Sequence, residues 1–163
     1  MREGVTAPSL SKNPKPILIA LGVQSPPRKS HVPAMAVPPP QFTDEEIDRL
    51  VETFYARIRR HHRLGPIFEH AIGEDGWPAH LATLKDFWSS VLNTTGRYKG
   101  QPMVVHQHVE GLTEGLFNPW LNLFHQTCVE LFDAPRAAIV GQKAERIAAS
   151  LKLGLFFKPG AVA

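Results

Sequence analysis

The sequence predicts an all-α domain preceded by an irregular leader. Four long stretches place apolar side chains three and four residues apart, the spacing of one helix face. Capping residues and helix-ending glycines and prolines stand at the borders of these stretches. No repeat, glycine-rich phosphate loop or strand pattern is present. The pattern therefore favours four substantial helices and one or two short ones.

Residues 1–40 differ in composition from the rest of the chain. They hold nine of the 15 prolines and show no helical periodicity, so we expect a disordered leader. They also carry five Lys/Arg and one Glu, whereas the other 123 residues carry 13 basic and 14 acidic side chains. The basic charge belongs to the leader, so we do not expect a nucleic-acid-binding face on the domain.

The apolar run at residues 17–23 is the one candidate targeting segment. It is far too short to span a bilayer, and it is at the lower limit for a signal peptide. An alternative is that translation begins at Met35, so that residues 1–34 are not part of the protein. We expect a cytoplasmic protein that does not bind a membrane.

The first helix begins at Thr43, where Thr43 and Glu46 form a capping-box pattern. An apolar face then runs from Ile47 to Ile58 and includes Tyr55, whose hydroxyl needs a partner inside the core. We expect Gly65-Pro66 to end this helix. A short second helix should follow over residues 66–72 and stop at Gly73.

The third helix carries its apolar stripe from Trp77 to Val91, with Pro78 in the first turn. His80 shares that stripe. A breaker-rich loop over residues 93–102 then leads to Met-Val-Val and His106. Two longer helices should follow, one from about Thr113 to Phe132 and one from the N-cap Asp133 to Pro159-Gly160.

Four polar-tipped side chains occupy otherwise apolar stripes in four segments: Tyr55, His80, His106 and Trp120. Each would lose about 1–3 kcal/mol in a dry core without a partner. Either they satisfy one another in a haem-free helical interaction module, or they share a guest. A haem fits the second case, because one imidazole can ligate iron while other donors face a gaseous ligand.

Other chemistry has weaker support. His106 and His108 form a His-x-His pair, but the chain has no His-Glu-x-x-His pattern for a zinc hydrolase. Ser89 and Ser90 lie mid-helix without a nucleophile elbow. The single cysteine, Cys128, falls on an apolar stripe, so we expect a buried and unreactive thiol.

The arrangement resembles the third group of the truncated haemoglobins over residues 43–157. The absence of glycine pairs typical of the other two groups agrees with this assignment. The matching features are Phe54-Tyr55, Leu64-Gly-Pro-Ile-Phe68-x-x-Ala-Ile-Gly73, Trp77-x-x-His80, Phe87-Trp88, Tyr98-x-Gly-Gln-Pro-x-x-x-His106 and Trp120-Leu-x-Leu-Phe124.

The resemblance implies a two-over-two helical sandwich that binds haem, with the domain over residues 41–160. It implies that His106 is the proximal iron ligand. The distal, catalytic residues would be Tyr55, His80 and Trp120, and the haem-lining residues would be Phe54, Phe68, Leu84 and Trp88. Two points stay open. Arg97, Tyr98 and Lys99 either meet the haem propionates or are solvated. His108 either competes with His106 for iron or leaves His106 as the one ligand.

The same resemblance implies a function with diatomic ligands. Donors from Tyr55 and Trp120 should slow the release of dioxygen, since hydrogen bonds to a charged acceptor are worth roughly 1.5–3 kcal/mol each. A transport protein needs fast release. We therefore expect redox chemistry with nitric oxide, peroxide or dioxygen, as in a dioxygenase or peroxidase, supported by an unidentified reductase or electron donor.

Overall fold

The computed structural model describes residues 41–157 and 159–160, and this part of the chain contains helices and connecting loops but no strand. Short 3₁₀ turns at Glu74–Gly76 and Glu114–Leu116 precede two of the α-helices. The helices are α1 (Asp44–Arg60), α2 (Leu64–Ile72), α3 (Trp77–Asn93), α4 (Pro102–His106), α5 (Phe117–Leu131) and α6 (Ala134–Phe156). The leader and its predicted disorder lie outside the described residues.

The helices pack as two pairs. Helix α1 packs against α3, and α5 packs against α6. Contact between α1 and α5 joins the pairs, while α2 packs on α1 and the short α4 packs on α6. This arrangement confirms the predicted all-α fold and its two-over-two helical sandwich. No helix in the described part of the chain is long and apolar enough to cross a membrane.

Two helix starts follow directly from local sequence. Thr43 Oγ1 accepts a hydrogen bond from the Glu46 backbone N–H at 3.2 Å, and Glu46 Oε2 accepts from the Thr43 N–H at 2.9 Å. This is the predicted capping box. At the start of α6, Asp133 Oδ1 accepts from the Arg136 N–H at 3.0 Å, which confirms the predicted N-cap.

The boundary between α1 and α2 differs from the prediction. Helix α1 ends at Arg60, and Gly65 and Pro66 lie in the first turn of α2. The reason is a close approach: a Cβ on Gly65 would lie 2.5 Å from the Arg59 carbonyl oxygen. His61 Nδ1 accepts from the Leu64 N–H at 3.3 Å, which helps α2 to begin there. The glycine permits a helix contact, although it was interpreted as a helix end.

The start of α5 also differs. We expected the helix from about Thr113, but Thr113 is extended and a 3₁₀ turn precedes α5, which begins at Phe117. Pro119 then falls in the first turn, where its missing N–H breaks no helical hydrogen bond.

An aromatic column forms the centre of the core and joins α1, α3 and α5. Phe124 stacks on Trp88 at 4.9 Å between ring centroids and on Trp120 at 5.3 Å. Phe54 meets the edge of Phe124 at 4.9 Å. Aromatic pairs of this kind stabilise by about 0.5–1.5 kcal/mol beyond the area they bury. The column fixes the relative positions of the helices that surround the site described below.

Phe42 anchors the start of the domain. Its backbone N–H donates to Asn93 Oδ1 at 3.1 Å, and its carbonyl accepts from Asn93 Nδ2 at 2.6 Å. Its ring meets Phe132 edge-on at 5.3 Å. Arg136 lies over the Phe42 ring at 4.5 Å and donates two hydrogen bonds to the Glu46 carboxylate, each 2.7 Å long. The beginning of α1 is thus tied to the end of α3 and the beginning of α6.

Glu46 should stabilise the fold only while its carboxylate is charged. The Arg136 hydrogen bonds lower the Glu46 pKa from 4.5 to about 2. The stabilisation is therefore full above pH 4.5 and is lost as the pH falls through about 2. We expect Glu46→Gln to lower the unfolding free energy by roughly 1–2 kcal/mol at neutral pH, since the pair is partly exposed.

Urea unfolding of both proteins across the acid range measures this difference. The Glu46→Gln effect should shrink to nothing near pH 2. Glu45→Gln, on an exposed side chain of the same turn, is the control and should have little effect at any pH. A Glu46→Gln difference that persists unchanged in acid contradicts the assignment.

Candidate functional site

His106 is buried at the end of the five-residue helix α4, and only 5% of its surface is exposed. Its Nδ1 lies 2.7 Å from the carbonyl oxygen of Pro102, one turn earlier. A carbonyl oxygen can only accept, so Nδ1 carries the proton and Nε2 carries the lone pair. Burial lowers the His106 pKa to about 4. The ring is therefore a neutral imidazole at neutral pH, with one nitrogen free to bind a metal.

A narrow cavity of about 40 Å³ adjoins His106. Helices α2, α3, α5 and α6 and the segment that leads into α5 form its other walls. Apart from His106 and the indoles of Trp88 and Trp120, the walls carry only hydrocarbon side chains. The lining residues are Leu64, Ile67, Phe68, Trp88, His106, Leu112, Leu116, Phe117, Trp120, Ile147, Ala148 and Leu151.

His106 also borders a second, larger space, of about 180 Å³. This space lies between the segment after α4 and the end of α6, at residues 154–156. Its walls include Gln107 and the chain at Gly154, so it lacks the continuous apolar lining of the first cavity. The lining of the first cavity, rather than its size, makes it the better match to a flat apolar guest.

The rim of the first cavity is formed partly by contact between α2 and the segment after His106. A Cβ on Gly111 would lie 2.8 Å from Ile67 Cδ1, and Gly111 has a φ of +77°. Next to this contact, His70 Nε2 lies 3.1 Å from Glu110 Oε2 on the surface. Glycine at position 111 allows both the left-handed backbone and the close approach of Ile67.

Tyr55 of α1 and His80 of α3 lie together in the core, with ring centroids 5.7 Å apart. The Tyr55 hydroxyl and both His80 ring nitrogens have no hydrogen-bond partner within the described residues. Burial, with a smaller effect of nearby His106, lowers the His80 pKa to about 4, and burial raises the Tyr55 pKa. At neutral pH the two side chains are an uncharged imidazole and an intact phenol, so each has a proton to donate.

The predicted site residues fall into two groups. His106, Phe68, Trp88 and Trp120 line the cavity. The others are buried but do not form its walls: Phe54, Tyr55, His80 and Leu84.

Two of these buried residues touch the cavity wall from behind. Phe54 meets the edge of Trp120, with ring centroids 5.2 Å apart. The ring centroids of Tyr55 and Phe68 are 5.9 Å apart. Tyr55 is therefore one side chain behind the cavity surface.

The cavity also has walls that sequence analysis did not single out. Ile147, Ala148 and Leu151 of α6 belong to a stripe that we interpreted as ordinary core. Leu64, Ile67 and the residues before α5 were likewise missed. A helix face that lines an apolar cavity has the same sequence pattern as one that packs in the core, so no signal distinguishes them.

The structure shows the surroundings of Arg97, Tyr98 and His108, for which the sequence left alternatives open. Arg97 donates to both carboxylate oxygens of Asp44, at 3.0 and 3.1 Å, so its guanidinium is already engaged. Tyr98 packs edge-on against Phe87, and its hydroxyl is buried without a hydrogen-bond partner in the described part of the chain. His108 is exposed and lies outside the cavity lining, with Nδ1 donating to the Val104 carbonyl at 2.7 Å.

Cys128 is buried in α5, and burial raises its thiol pKa to about 12, which agrees with the expected unreactive thiol. Across residues 41–157, no three His, Cys, Asp or Glu side chains lie close enough to hold a metal ion together. His106 therefore offers a single imidazole rather than a member of a multi-residue metal site.

Comparison with known proteins identifies the fold and the family. No family model matches the chain. A protein of Campylobacter jejuni, described as "Group 3 truncated hemoglobin ctb", is 32% identical over 117 residues, which cover 71% of this chain and 92% of that protein. The crystal structure of the group III truncated hemoglobin from Campylobacter jejuni superimposes with a TM-score of 0.69 at 31% identity, over 75% of this chain and 97% of the other. The chain belongs to the group 3 truncated haemoglobins.

Proposed function

We propose that the cavity holds haem, with His106 Nε2 as the iron ligand, and that the protein binds dioxygen and other diatomic ligands there. Membership of a globin family supports both parts of the proposal. The observation that carries it is one buried neutral imidazole, with its tautomer fixed by Pro102, beside a cavity with apolar walls. A neutral imidazole is the proximal ligand that haem globins use.

The residues present fit this cofactor in three respects. The walls of the cavity are apolar, as a macrocycle requires. The cavity borders a single imidazole with a free nitrogen, as a five-coordinate iron requires. Behind the wall, Tyr55 and His80 retain unsatisfied polar atoms that a small polar ligand would satisfy. Bound haem would supply an iron centre that binds diatomic ligands and exchanges electrons with them.

The chain's own residues would then decide how long a ligand stays. Tyr55 keeps its proton at neutral pH because burial raises its pKa, so it can donate to a partly charged ligand. Trp120 presents an indole at the cavity wall and can also donate. His80 stays neutral, so it can donate through one ring nitrogen and accept through the other.

Retention of the ligand favours redox chemistry over transport. Hydrogen bonds to a charged acceptor are worth about 1.5–3 kcal/mol each, which slows release by roughly one to two decades per bond. We therefore propose reaction of dioxygen, nitric oxide or peroxide at this site, with electrons from an unidentified reductase or donor. That partner, and a cytoplasmic location, stay predictions from the sequence.

The second candidate function, a haem-free interaction module, has less support. It required the buried polar side chains to satisfy one another. Tyr55 and His80 lie side by side, yet neither has a hydrogen-bond partner in residues 41–157. Their polar atoms are better explained as sites for a ligand.

His106→Gly should abolish high-affinity haem binding because it removes the only imidazole on the cavity wall. The loss should exceed the roughly 10–100-fold that removal of a partner of a metal ligand costs. Added imidazole should restore binding and the haem absorption spectrum. Titration of the full chain with haem, with and without imidazole, measures both effects.

His108→Gly is the matched control for this substitution. His108 makes the same contact with the carbonyl four residues earlier, at 2.7 Å, but it is exposed and outside the cavity lining. It should bind haem like the unchanged protein. Undiminished haem binding by His106→Gly, or loss of binding by His108→Gly, would show that the iron ligand lies elsewhere.

Tyr55→Phe should speed dioxygen release and stabilise the haem-free protein. Loss of one hydrogen bond to the ligand should raise the dissociation rate roughly 10- to 150-fold. Loss of the unsatisfied hydroxyl should raise the unfolding free energy of the haem-free chain by about 1–3 kcal/mol. Stopped-flow dioxygen displacement and denaturant unfolding measure the two effects.

Tyr98→Phe provides the comparison. It also removes a buried hydroxyl without a described partner, but Tyr98 packs against Phe87 and lies outside the cavity lining. It should stabilise the haem-free chain without changing dioxygen release. Equal release rates for Tyr55→Phe and the unchanged protein would remove Tyr55 from the ligand site.

A further inference from the structure

A cluster of three side chains lies beside Tyr55 and His80, where α1, α2 and α3 meet. We refer to Tyr55 and His80 as the distal pair. The Trp77 indole Nε1 of α3 donates to Glu69 Oε2 of α2 at 3.0 Å. Glu69 Oε1 accepts from Arg59 Nε of α1 at 2.7 Å. The Arg59 guanidinium lies over the Trp77 ring, 4.6 Å from its centroid. We refer to these residues as the Arg59–Glu69–Trp77 cluster.

The inner face of Trp77 meets the distal pair. Its ring centroid lies 5.7 Å from that of His80, with the rings nearly perpendicular, and 6.3 Å from that of Tyr55. Trp77 itself is only 3% exposed. On its outer side, the side chains of Arg59 and Glu69 are 46% and 38% exposed. One indole ring therefore separates solvent-accessible charges from the unsatisfied atoms of Tyr55 and His80.

We propose that Trp77 is a gate residue, which Glu69 and Arg59 hold closed over Tyr55 and His80. Outward rotation of the indole admits small polar ligands to the distal pair by a route separate from the cavity rim at Ile67 and Gly111. What the admitted ligand does there rests on the proposed haem function, but the closure itself is a property of the polypeptide.

Trp77 makes polar contacts on the solvent side and aromatic contacts with Tyr55 and His80 on the core side. Its outer contacts are polar: one hydrogen bond to a carboxylate and one cation–π contact, both at partly exposed side chains. Water can replace such contacts when the ring moves out. The Glu69 pKa is lowered, chiefly by the hydrogen bond from Trp77, so its carboxylate is charged at neutral pH and holds the indole closed.

A merely structural role would not require an indole at this place. Arg59 and Glu69 already join α1 to α2 through their own contact. The additional hydrogen bond from Trp77 fixes the orientation of a ring that lies against two buried polar side chains. Cutting that hydrogen bond should therefore change access to the distal pair more than it changes the fold.

The first experiment measures gate opening without reference to haem. The full chain contains three tryptophans, so labelling with 5-fluorotryptophan gives a simple ¹⁹F spectrum in which Trp77→Phe assigns the Trp77 resonance. The shift of that resonance between H₂O and D₂O reports contact with water. Glu69→Ala should increase it clearly, and Glu69→Gln should increase it less, because its amide oxygen can still accept from the indole.

The second experiment measures ligand entry in the haem-loaded full chain. Cyanide, a small polar ligand of ferric haem, should associate roughly tenfold faster with Glu69→Ala than with the unchanged protein, the factor expected for loss of one hydrogen bond to a charged group. Glu52→Ala is the control, because it removes a 2.7 Å contact with Lys85 between α1 and α3 on the surface. It should change neither readout.

The outcomes separate this proposal from the proposed function. An unchanged Trp77 isotope shift in folded Glu69→Ala overturns the gate, whether or not haem binds. An increased shift with unchanged cyanide association also overturns it, since the cluster would then be only a structural contact. A chain that binds no haem refutes the proposed function, while the ¹⁹F result still decides whether Glu69 holds Trp77 closed.

Discussion

The hydrogen bond between His106 Nδ1 and the Pro102 carbonyl determines the chemistry of this fold. Because the carbonyl can only accept, the proton stays on Nδ1 and the lone pair stays on Nε2. Burial keeps the ring neutral. The bond exists because Pro102 begins α4 and His106 ends it, one helical turn apart. A five-residue helix is thus sufficient to orient a buried imidazole, provided that α6 packs against it.

The same fold tolerates an energetic cost elsewhere in its core. Tyr55 and His80 hold polar atoms in the core without partners in the described chain. The aromatic column of Trp88, Phe124 and Trp120 gives these side chains no acceptor. Natural proteins keep few buried polar groups unsatisfied, and those few often mark functional sites. Under the proposed function, stability of the haem-free protein and retention of a ligand make opposite demands on Tyr55.

The sequence correctly predicted those features of the fold that depend on interactions between residues close together in the chain. The capping box at Thr43, the Asp133 N-cap and the apolar faces of α1, α3 and α6 all depend on neighbours within one or two turns. Gly65-Pro66 was wrongly predicted to end α1. A glycine is needed at position 65 because this residue lies against the Arg59 carbonyl, at a contact between two helices. A local pattern that usually ends helices carries no information about such a contact.

The polar members of the candidate site could be selected from the sequence, whereas most of its apolar walls, apart from Phe68, could not. A polar tip on an apolar stripe is an anomaly, so Tyr55, His80, His106 and Trp120 could be selected from sequence. Ile147 and Leu151 of the α6 wall are apolar residues on an apolar helix face, so the sequence gives no sign that they line a cavity. Trp77 was assigned to the core for the same reason, and its surface partners Arg59 and Glu69 come from two other helices.

The anchor at Phe42 has a consequence for attaching tags or fusion partners to this protein. Arg136, which clamps Phe42 and Glu46, lies near the start of α6, whereas Ile147 on the same helix lines the cavity. Eleven residues of helix separate them, or roughly 16 Å along the axis. A fusion partner joined directly to Gln41, in place of residues 1–40, would therefore begin at the end of α6 remote from these wall residues.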